Sequence, residues 1–147
     1  MQEFQDFKFK IEKIEILHFS ISSFSIDKIK SIDSPVFQFT SGFFFNQPDI
    51  IGNDVKVEVF VDNSKSENIC TLMTRFQYKI KDIEKFIPKD SKEINIPDDL
   101  LRELLRFSIS TVRGIFFAKT EGTLLKDVHI PPIDISKMEK IKPENTK

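Results

Sequence analysis

The stretch that decides the fold is PDDLLRELLRFSISTVRGIFFAKT, residues 97–120. One stripe within it repeats with the 3.6-residue period of a helix that buries a single side. The stripe consists of Leu101, Leu104, Leu105, Ser108, Ile109, Val112 and Phe116. Pro97 suits the first turn, where its missing N–H costs nothing, and Asp98 and Asp99 complement the positive end of the helix dipole. We therefore predict one long amphipathic helix, which Glu121-Gly122-Thr123 ends.

The segment after this helix closes on HIPPID, residues 129–134. A Pro-Pro pair can neither continue a helix nor pair in the centre of a sheet. Asp134 is placed to cap a short last helix over residues 135–141. Residues 140–147 are expected to form a disordered tail, which leaves residues 1–139 as a single domain.

Four strands are predicted before the helix, because the first eighty residues alternate apolar and polar side chains with period two. The first strand is long, and its phase slips near Ile16-Leu17, which indicates a bulge. The second, over about residues 36–46, places on one face Phe37, Phe39, Phe43 and Phe45. The apolar face of the third consists of Val55, Val57, Val59 and Val61, and that of the fourth of Leu72, Phe76, Tyr78 and Ile80.

These elements predict an α+β fold, with a four-stranded antiparallel sheet and a long helix and a short C-terminal helix packed on one face. A polar loop at residues 62–66 suits a hairpin between the third and fourth strands. Residues 83–96 form a charged linker that Pro88 interrupts. Gly52-Asn53 is interpreted as a turn before the third strand. Gly114, inside the long helix, costs about 1 kcal/mol relative to alanine, so we expect another backbone to approach it closely.

The composition limits the class of protein. A chain of 147 residues is one domain with a sizeable core. With 22 basic and 23 acidic residues the net charge is −1, which gives no electrostatic reason to expect nucleic acid. Cys70 alone cannot form an internal disulfide, and no signal-like segment or membrane-length apolar run is present. A cytosolic protein without membrane insertion is therefore expected.

Residues that carry catalysis are scarce. His18, His129 and Cys70 do not form a recognisable metal pattern, and Cys70 is better explained as a small buried hydrophobe. The four glycines are isolated, so no phosphate-binding loop exists. The Asp98-Asp99 pair is explained by the helix dipole. The sequence therefore predicts no enzyme, no metal and no cofactor.

Phenylalanine is the remaining candidate for function. Eleven of the sixteen phenylalanines lie between Phe4 and Phe60. Alternating aromatic residues are usually core or subunit interface, yet Phe44 and Phe60 fall on the faces opposite their strands' main stripes. Apolar residues on both faces predict that a subunit or a ligand covers the second face. The charged neighbours Arg75 and Lys79 fit a solvated face.

The order of these parts resembles the export chaperone SecB and its relatives, from about Phe9 to Met138. Val36-Phe37-Gln38 is similar to the Val-Phe-Gln that opens the family's second strand. Leu101-Arg102-Glu103 resembles its Ala-Arg-Glu, and Val112-Arg113-Gly114-Ile115-Phe116 its Ser-Arg-Gly-Thr-Phe segment. Residues 129–134 occupy the place of the family's Leu-Ala-Pro-Val-Asn-Phe, with only Pro131 identical.

The resemblance implies a dimer of dimers that holds unfolded polypeptides in apolar grooves without ATP. The candidates it gives for client binding or subunit interface are Phe37, Phe39, Phe43, Phe44, Phe45, Phe60 and Phe76. Where the family has an acidic residue used in docking the motor SecA, Leu72-Met73 is followed here by Thr74 and Arg75, so contact with SecA is doubtful. A relative from the antitoxin-protecting branch fits at least as well.

Three hypotheses follow. The first is an ATP-independent holdase that binds unfolded polypeptides or preproteins, for example during protein export. The second is an interaction or scaffold protein of the same fold that binds one specific partner, for example an antitoxin-type client. The third is a carrier for a small apolar ligand between sheet and helix.

Overall fold

A computed structural model of the chain describes residues 8–22, 35–62, 65, 67–86 and 95–137. Its strands are β1 (Phe9–Ile21), β2 (Val36–Gln47), β3 (Ile50–Phe60) and β4 (Asn68–Ile80), and they precede the helix α1 (Asp98–Thr120). Short 3-10 helices span Ile83–Phe86 and Ile135–Lys137. The strand order is β1-β4-β3-β2, and every neighbouring pair is antiparallel. The predicted α+β fold class is thus confirmed.

The core lies between α1 and the face of the sheet that we call the inner face. The β3 side chains of that face are Val55, Val57 and Val59, and the β4 side chains are Leu72, Phe76, Tyr78 and Ile80. All are buried, and so is the whole predicted stripe of α1. The alternation in the strands and the 3.6-residue period in the helix therefore identified the two surfaces that meet. Because α1 packs on β3 and β4, the central strands are the best covered.

The predicted bulge in the first strand is confirmed, and it occurs twice. The register of β1 against β4 shifts between Ile11 and Lys13 and again between Ile16 and His18. An extra residue at each shift displaces the strand by one position and increases its twist. Only the four residues Lys13–Ile16 between the shifts pair regularly in the middle of β1.

The predicted turn at Gly52-Asn53 is wrong, because both residues lie inside β3. The chain turns instead at residues 48 and 49, directly after β2. Asn53 is buried in the strand, where its side-chain amide donates to Ser41 Oγ at 2.9 Å and to the Gly42 carbonyl at 3.1 Å. These cross-strand hydrogen bonds satisfy the side-chain nitrogen of Asn53, whereas its Oδ1 has no hydrogen-bond partner among the described residues.

The expected close approach to Gly114 does not occur within the described part of the protomer. Gly114 is exposed, and a Cβ at that position would meet no described atom within 4 Å. It lies on the side of α1 that faces away from the sheet, so the described strands do not approach it. The predicted end of the helix is confirmed, since α1 stops at Thr120 and Gly122 adopts a left-handed conformation with φ of 76°.

The predicted C-terminal helix begins at the expected residue, directly after Asp134. Asp134 Oδ1 accepts a hydrogen bond from the Ser136 N–H at 3.1 Å, which is the geometry of a helix cap. The structure describes this segment as a 3-10 helix to Lys137. The remainder of the predicted helix, the boundary at residues 139–140 and the tail at 140–147 lie outside the described residues. None of the helices in the described ranges is long and apolar enough to cross a membrane.

Candidate binding surface

The inner face of β1 is apolar but uncovered. Ile11, Ile14 and Ile16 share this face with the buried stripe of β4, yet 37–44% of each side chain is exposed. The cause is the strand order, since β1 is an edge strand and α1 lies over the central strands. Leu17, the extra residue of the second bulge, is 39% exposed as well. A protomer therefore folds without burying the middle of its first strand.

Two contacts join the ends of β1 to α1. The ring of Phe9 meets that of Phe107 edge to face, with centroids 5.9 Å apart. Near the other end, the Lys119 ammonium lies 5.9 Å from the ring centroid of Phe19. Between these contacts lie the three exposed isoleucines, and Phe107 itself is 47% exposed. We call this surface, defined by Ile11, Ile14, Ile16 and Phe107, the β1–α1 strip.

The backbone of β1 also has a free edge. The Lys81 N–H donates to the Lys8 carbonyl at 3.0 Å, so odd-numbered residues of β4 direct their backbone groups toward β1. Ile14 and Ile16 are paired with even-numbered residues of β4. Their own N–H and C=O groups therefore point away from β4, and β1 has no second neighbour among the described strands.

The opposite face of the sheet, the outer face, is charged. Arg75 forms a bidentate ion pair with Asp54, with Nε to Oδ1 at 2.8 Å and a terminal nitrogen to Oδ2 at 2.9 Å. Glu15 is directly opposite Arg75 on β1, and Glu15 also forms an ion pair with Lys13. Hydrogen bonding with Asp54 raises the pKa of Arg75 further above its ordinary value. Ion pairs organise this face. Of the two residues predicted to form a solvated face, Lys79 is exposed and Arg75 is half-buried.

A second apolar surface lies at the end of α1. Phe117 is 56% exposed, and its ring stacks on the ring of His129 with centroids 5.9 Å apart. Leu124, in the turn after the helix, is exposed too. Arg113 holds the returning chain in place by donating from Nε to the Ile130 carbonyl at 3.1 Å. Phe117 and its neighbours thus form an uncovered patch beside the C-terminal segment.

Three of the seven predicted site residues are buried within the protomer: Phe43, Phe60 and Phe76. Phe76 is fully enclosed and stacks on Tyr78, with centroids 6.1 Å apart. Phe43 and Phe76 belong to the main core cluster, whereas Phe60 is buried outside it. Little or no ring surface remains on them for contact with another molecule.

The other four predicted residues are half-buried. Phe37, Phe39 and Phe45 lie on the inner face of β2 and pack against the edge of the core. Phe44 lies on the outer face, where its ring covers Gly52 and the Arg75 guanidinium lies 4.9 Å from its centroid. The structure does not gather these rings into one exposed cluster, and their part in client binding or in a subunit interface stays a prediction.

The exposed apolar residues were therefore not those singled out from the sequence. Phe107 and Phe117 were detectable, because both lie off the buried stripe of the predicted helix. The isoleucines of β1 were not, because alternation places them on the inner face without showing that the strand is at an edge. Strand order is a property of the whole sheet, so local patterns do not reveal it.

The polar groups give no catalytic arrangement in the described part of the chain. His18 bonds to Ser20 at 3.0 Å on the surface, and the described residues contain no group of three or more potential metal ligands. Burial raises the pKa of the Cys70 thiol to about 11, which makes it a poor nucleophile and fits the predicted structural role. Burial likewise raises the pKa of Tyr78 to about 12.

Comparison with known proteins gives similarity in structure only. No protein-family model and no curated protein matches the chain. Among solved structures, the chain is similar to the Mycobacterium tuberculosis SecB-like chaperone Rv1957 in complex with a ChAD peptide from the Rv1956 HigA1 antitoxin. The TM-score is 0.51 at 9% identity, over 86% of this chain and 91% of that one. A protein of unknown function from Streptococcus agalactiae aligns with a TM-score of 0.43 at 12% identity, over 88% and 99% of the two chains.

The similarity to the SecB-like chaperone covers most of both chains, and the described part of this one consists mainly of four antiparallel strands and one long helix. At 9% identity it concerns the path of the backbone and assigns no residue a role. The fold of this chain is therefore SecB-like.

Proposed function

We propose that this protein is an ATP-independent holdase that binds unfolded polypeptide segments in the cytoplasm, as a homo-oligomer arranged as a dimer of dimers. The proposal has no catalytic step and needs no cofactor. The observation that carries it is the apolar surface that one protomer leaves uncovered. This surface consists of Ile11, Ile14, Ile16, Leu17, Phe107, Phe117 and Leu124.

The chemistry of this surface suits unfolded chains. Isoleucine, leucine and phenylalanine side chains attract apolar segments without directional bonds, so they select for hydrophobicity and not for a particular sequence. Phe107 and Phe117 lie on α1, which the core holds in place along its whole buried stripe. A rigid platform with exposed rings can bind many clients at a modest cost in ordering.

The phenylalanines predicted from the sequence keep a secondary part in this proposal. Phe37, Phe39 and Phe45 expose part of their rings along β2, the second edge strand. A subunit contact or a client that covers this edge would bury that remaining surface. We propose these three, together with Phe44, as peripheral contacts and place the main contacts on the strip and on Phe117.

The decisive experiment is suppression of aggregation of a denatured client by the full chain at near-stoichiometric ratio. We expect protection without nucleotide, and we expect Phe107→Ala combined with Phe117→Ala to weaken it severalfold. Arg102→Ala combined with Arg106→Ala is the matched control, because it also shortens two exposed side chains of α1 but leaves every apolar side chain in place. Failure of the unmodified protein to protect any client would refute the proposal.

A second candidate is a scaffold that binds one specific partner, such as an antitoxin-type client. It is favoured by the structural neighbour, which is described in complex with a peptide from an antitoxin. Capture of a single folded partner, without affinity for unfolded chains, would support it over the holdase. Coupling to SecA is not part of either proposal, since Thr74 is buried and Arg75 is paired with Asp54.

A further inference from the structure

The exposed side of α1 carries positive charge beside its exposed rings. We infer that this side selects acidic client segments, in which aspartate or glutamate residues lie close to apolar ones. The inference rests on the proposed holdase function, to which it adds the chemical class of the client. Three features carry it: the alignment of the α1 arginines with Phe117, the charge that these arginines leave unpaired, and the acidic residues at both ends of the helix.

The three arginines of α1 lie along one line of the helix. Arg102 and Arg106 are four residues apart, Arg113 follows seven residues later, and Phe117 lies a further four residues on. Steps of four and seven residues return to nearly the same side of an α-helix, which has about 3.6 residues per turn. At about 1.5 Å per residue, the line from Arg102 to Phe117 is about 22 Å long. We call these four residues the arginine row.

The charge of the arginine row is not neutralised within the described part of the chain. The Arg102 and Arg106 side chains are exposed, and neither forms an ion pair or a hydrogen bond with a described residue. Arg113 donates from Nε to the Ile130 carbonyl, and this neutral acceptor leaves the positive charge of the guanidinium in place. The guanidinium of Arg75, on the outer face of the sheet, is instead paired with a carboxylate.

Several cations within one client footprint are needed for selectivity. A pair between one exposed cation and a carboxylate is weak, so a single arginine would distinguish clients poorly. Residues 100–120 of α1 contain three arginines and Lys119 but only one acidic residue, Glu103. Attraction at two or three of these positions, replaced by repulsion for a basic client, is enough for a difference in affinity of about tenfold.

The spacing of the arginine row fits an extended client. Arg102 and Arg106 are separated by about 6 Å along the helix axis. In an extended segment, alternate side chains point the same way and repeat every ~6.6 Å. Acidic residues at alternate positions of a client can therefore face both arginines, while an apolar residue farther along reaches Phe117. Two adjacent acidic residues would point to opposite sides, so only one of them could pair.

The ends of the helix favour a polypeptide over a nucleic acid. Asp98 and Asp99 are exposed in the first turn of α1, and Glu121 is exposed directly after its last residue. A nucleic acid carries a negative charge at every nucleotide, so a strand longer than the arginine row would meet these carboxylates at both ends. A polypeptide with only a few acidic residues avoids that repulsion.

Binding of labelled peptides to the full chain, measured by fluorescence anisotropy, tests the inference. The acidic probe is an unstructured peptide of about twelve residues that combines phenylalanine and leucine with two aspartates at alternate positions. A second peptide has lysine in place of each aspartate, and a third has the same composition as the first with the aspartates adjacent. We expect the acidic probe to bind about tenfold more tightly than the lysine peptide and severalfold more tightly than the third. Added salt should reduce this preference, because the charges are exposed.

Variants of the chain show whether the arginine row carries the preference. Arg102→Gln combined with Arg106→Gln should reduce the preference from about tenfold to about twofold or less. Lys65→Gln combined with Lys81→Gln is the matched control, because it removes two exposed positive charges in the turns before and after β4. That control should keep the full preference. The aggregation assay that uses alanine at Arg102 and Arg106 as its control accordingly takes a client without net negative charge.

Three results would overturn the inference: equal affinity for the acidic and lysine peptides, an undiminished preference in the arginine variant, or tighter binding of a single-stranded RNA of comparable length. Protection of a denatured client is measured separately. A chain that protects the client but does not prefer the acidic probe therefore fails this inference and not the proposed function. A chain that binds none of the peptides and protects no client fails both.

Discussion

The ring of Phe44 lies across Gly52, its directly opposed partner on β3, and fills the space that a side chain at residue 52 would need. The Arg75 guanidinium packs over the same ring. An aromatic ring set against a glycine in the neighbouring strand shields backbone that the glycine leaves bare. Side chains of its own protomer thus cover part of the Phe44 ring on the outer face.

Gly52→Ala should therefore destabilise the protein by about 1–3 kcal/mol, because its methyl group forces the Phe44 ring away from Arg75. Alanine would otherwise be the better strand residue by about 0.5–1 kcal/mol. The same change should be neutral or stabilising in a Phe44→Ala background. Gly42→Ala is the control, since a Cβ there meets no described atom within 4 Å. Urea unfolding of the four variants measures the coupling, and an equal cost in both backgrounds would contradict it.

The buried hydroxyl pair of Tyr78 and Ser108 predicts an asymmetry between two deletions. Their oxygens lie 2.5 Å apart, and Ser108 also donates to the Leu104 carbonyl at 2.9 Å. Tyr78→Phe leaves Ser108 bonded and should cost about 0.5–1.5 kcal/mol. Ser108→Ala leaves the Tyr78 hydroxyl with only the Leu104 carbonyl at 3.4 Å and should cost more, about 1–3 kcal/mol.

The double variant should cost less than the sum of the two single changes, because both remove the same bond. Thermal or denaturant unfolding gives all three values. A larger loss for Tyr78→Phe than for Ser108→Ala would show that the hydroxyl pair is not arranged as described.

Stability should fall in alkaline solution because of Cys70. Burial raises its pKa from the ordinary 9.0 to about 11, so the folded state favours the neutral thiol. That contribution is complete below pH 9.0 and is lost as the pH rises through about 11, which amounts to about 2–3 kcal/mol. The free energy of unfolding of Cys70→Ala should therefore decline less steeply between pH 9 and pH 11 than that of the unmodified chain. Parallel declines would contradict the burial of the thiol.

Alanine substitutions at two phenylalanines distinguish a ring that stabilises the fold from a ring that is available for binding. Phe76→Ala removes a fully buried ring and should cost about 3–5 kcal/mol in unfolding free energy. Phe107→Ala removes a half-exposed ring that contacts the ring of Phe9, so it should cost no more than about 1.5 kcal/mol. Denaturant unfolding measures both. A cost for Phe107→Ala that equals that of Phe76→Ala would place Phe107 in the core and remove it from the binding surface.

Much of the fold was accessible from the sequence because side-chain periodicity reports which face of each element is buried. The stripe from Leu101 to Phe116 identified the buried side of α1, and the valines from Val55 to Val59 identified the inner face of β3. The turn predicted at Gly52-Asn53 is wrong because Phe44 and Ser41 of β2 contact these two residues and accommodate them within a strand. The local sequence does not show which residues of a neighbouring strand will contact a given position.

The candidate site could be predicted less well from the sequence, for a related reason. Phe76 and Phe60 alternate with polar residues as surface-forming aromatics also do, and only the packed sheet shows that both are enclosed. Ile14 and Ile16 have the same pattern as buried residues, and they are exposed because β1 is the outermost strand. Exposure of an apolar side chain depends on which neighbour is missing, and the sequence does not specify that.

The two bulges of β1 also bear on fibril formation. A strand that leaves isoleucines uncovered at a sheet edge is an ordinary starting point for stacked, in-register aggregates. Here the extra residues near Ile11 and Leu17 break the repeat after four residues, so an incoming strand cannot stay in step along the full length. The protein can thus expose an apolar strand edge that lacks the long, regular stretch of pairing that amyloid growth requires.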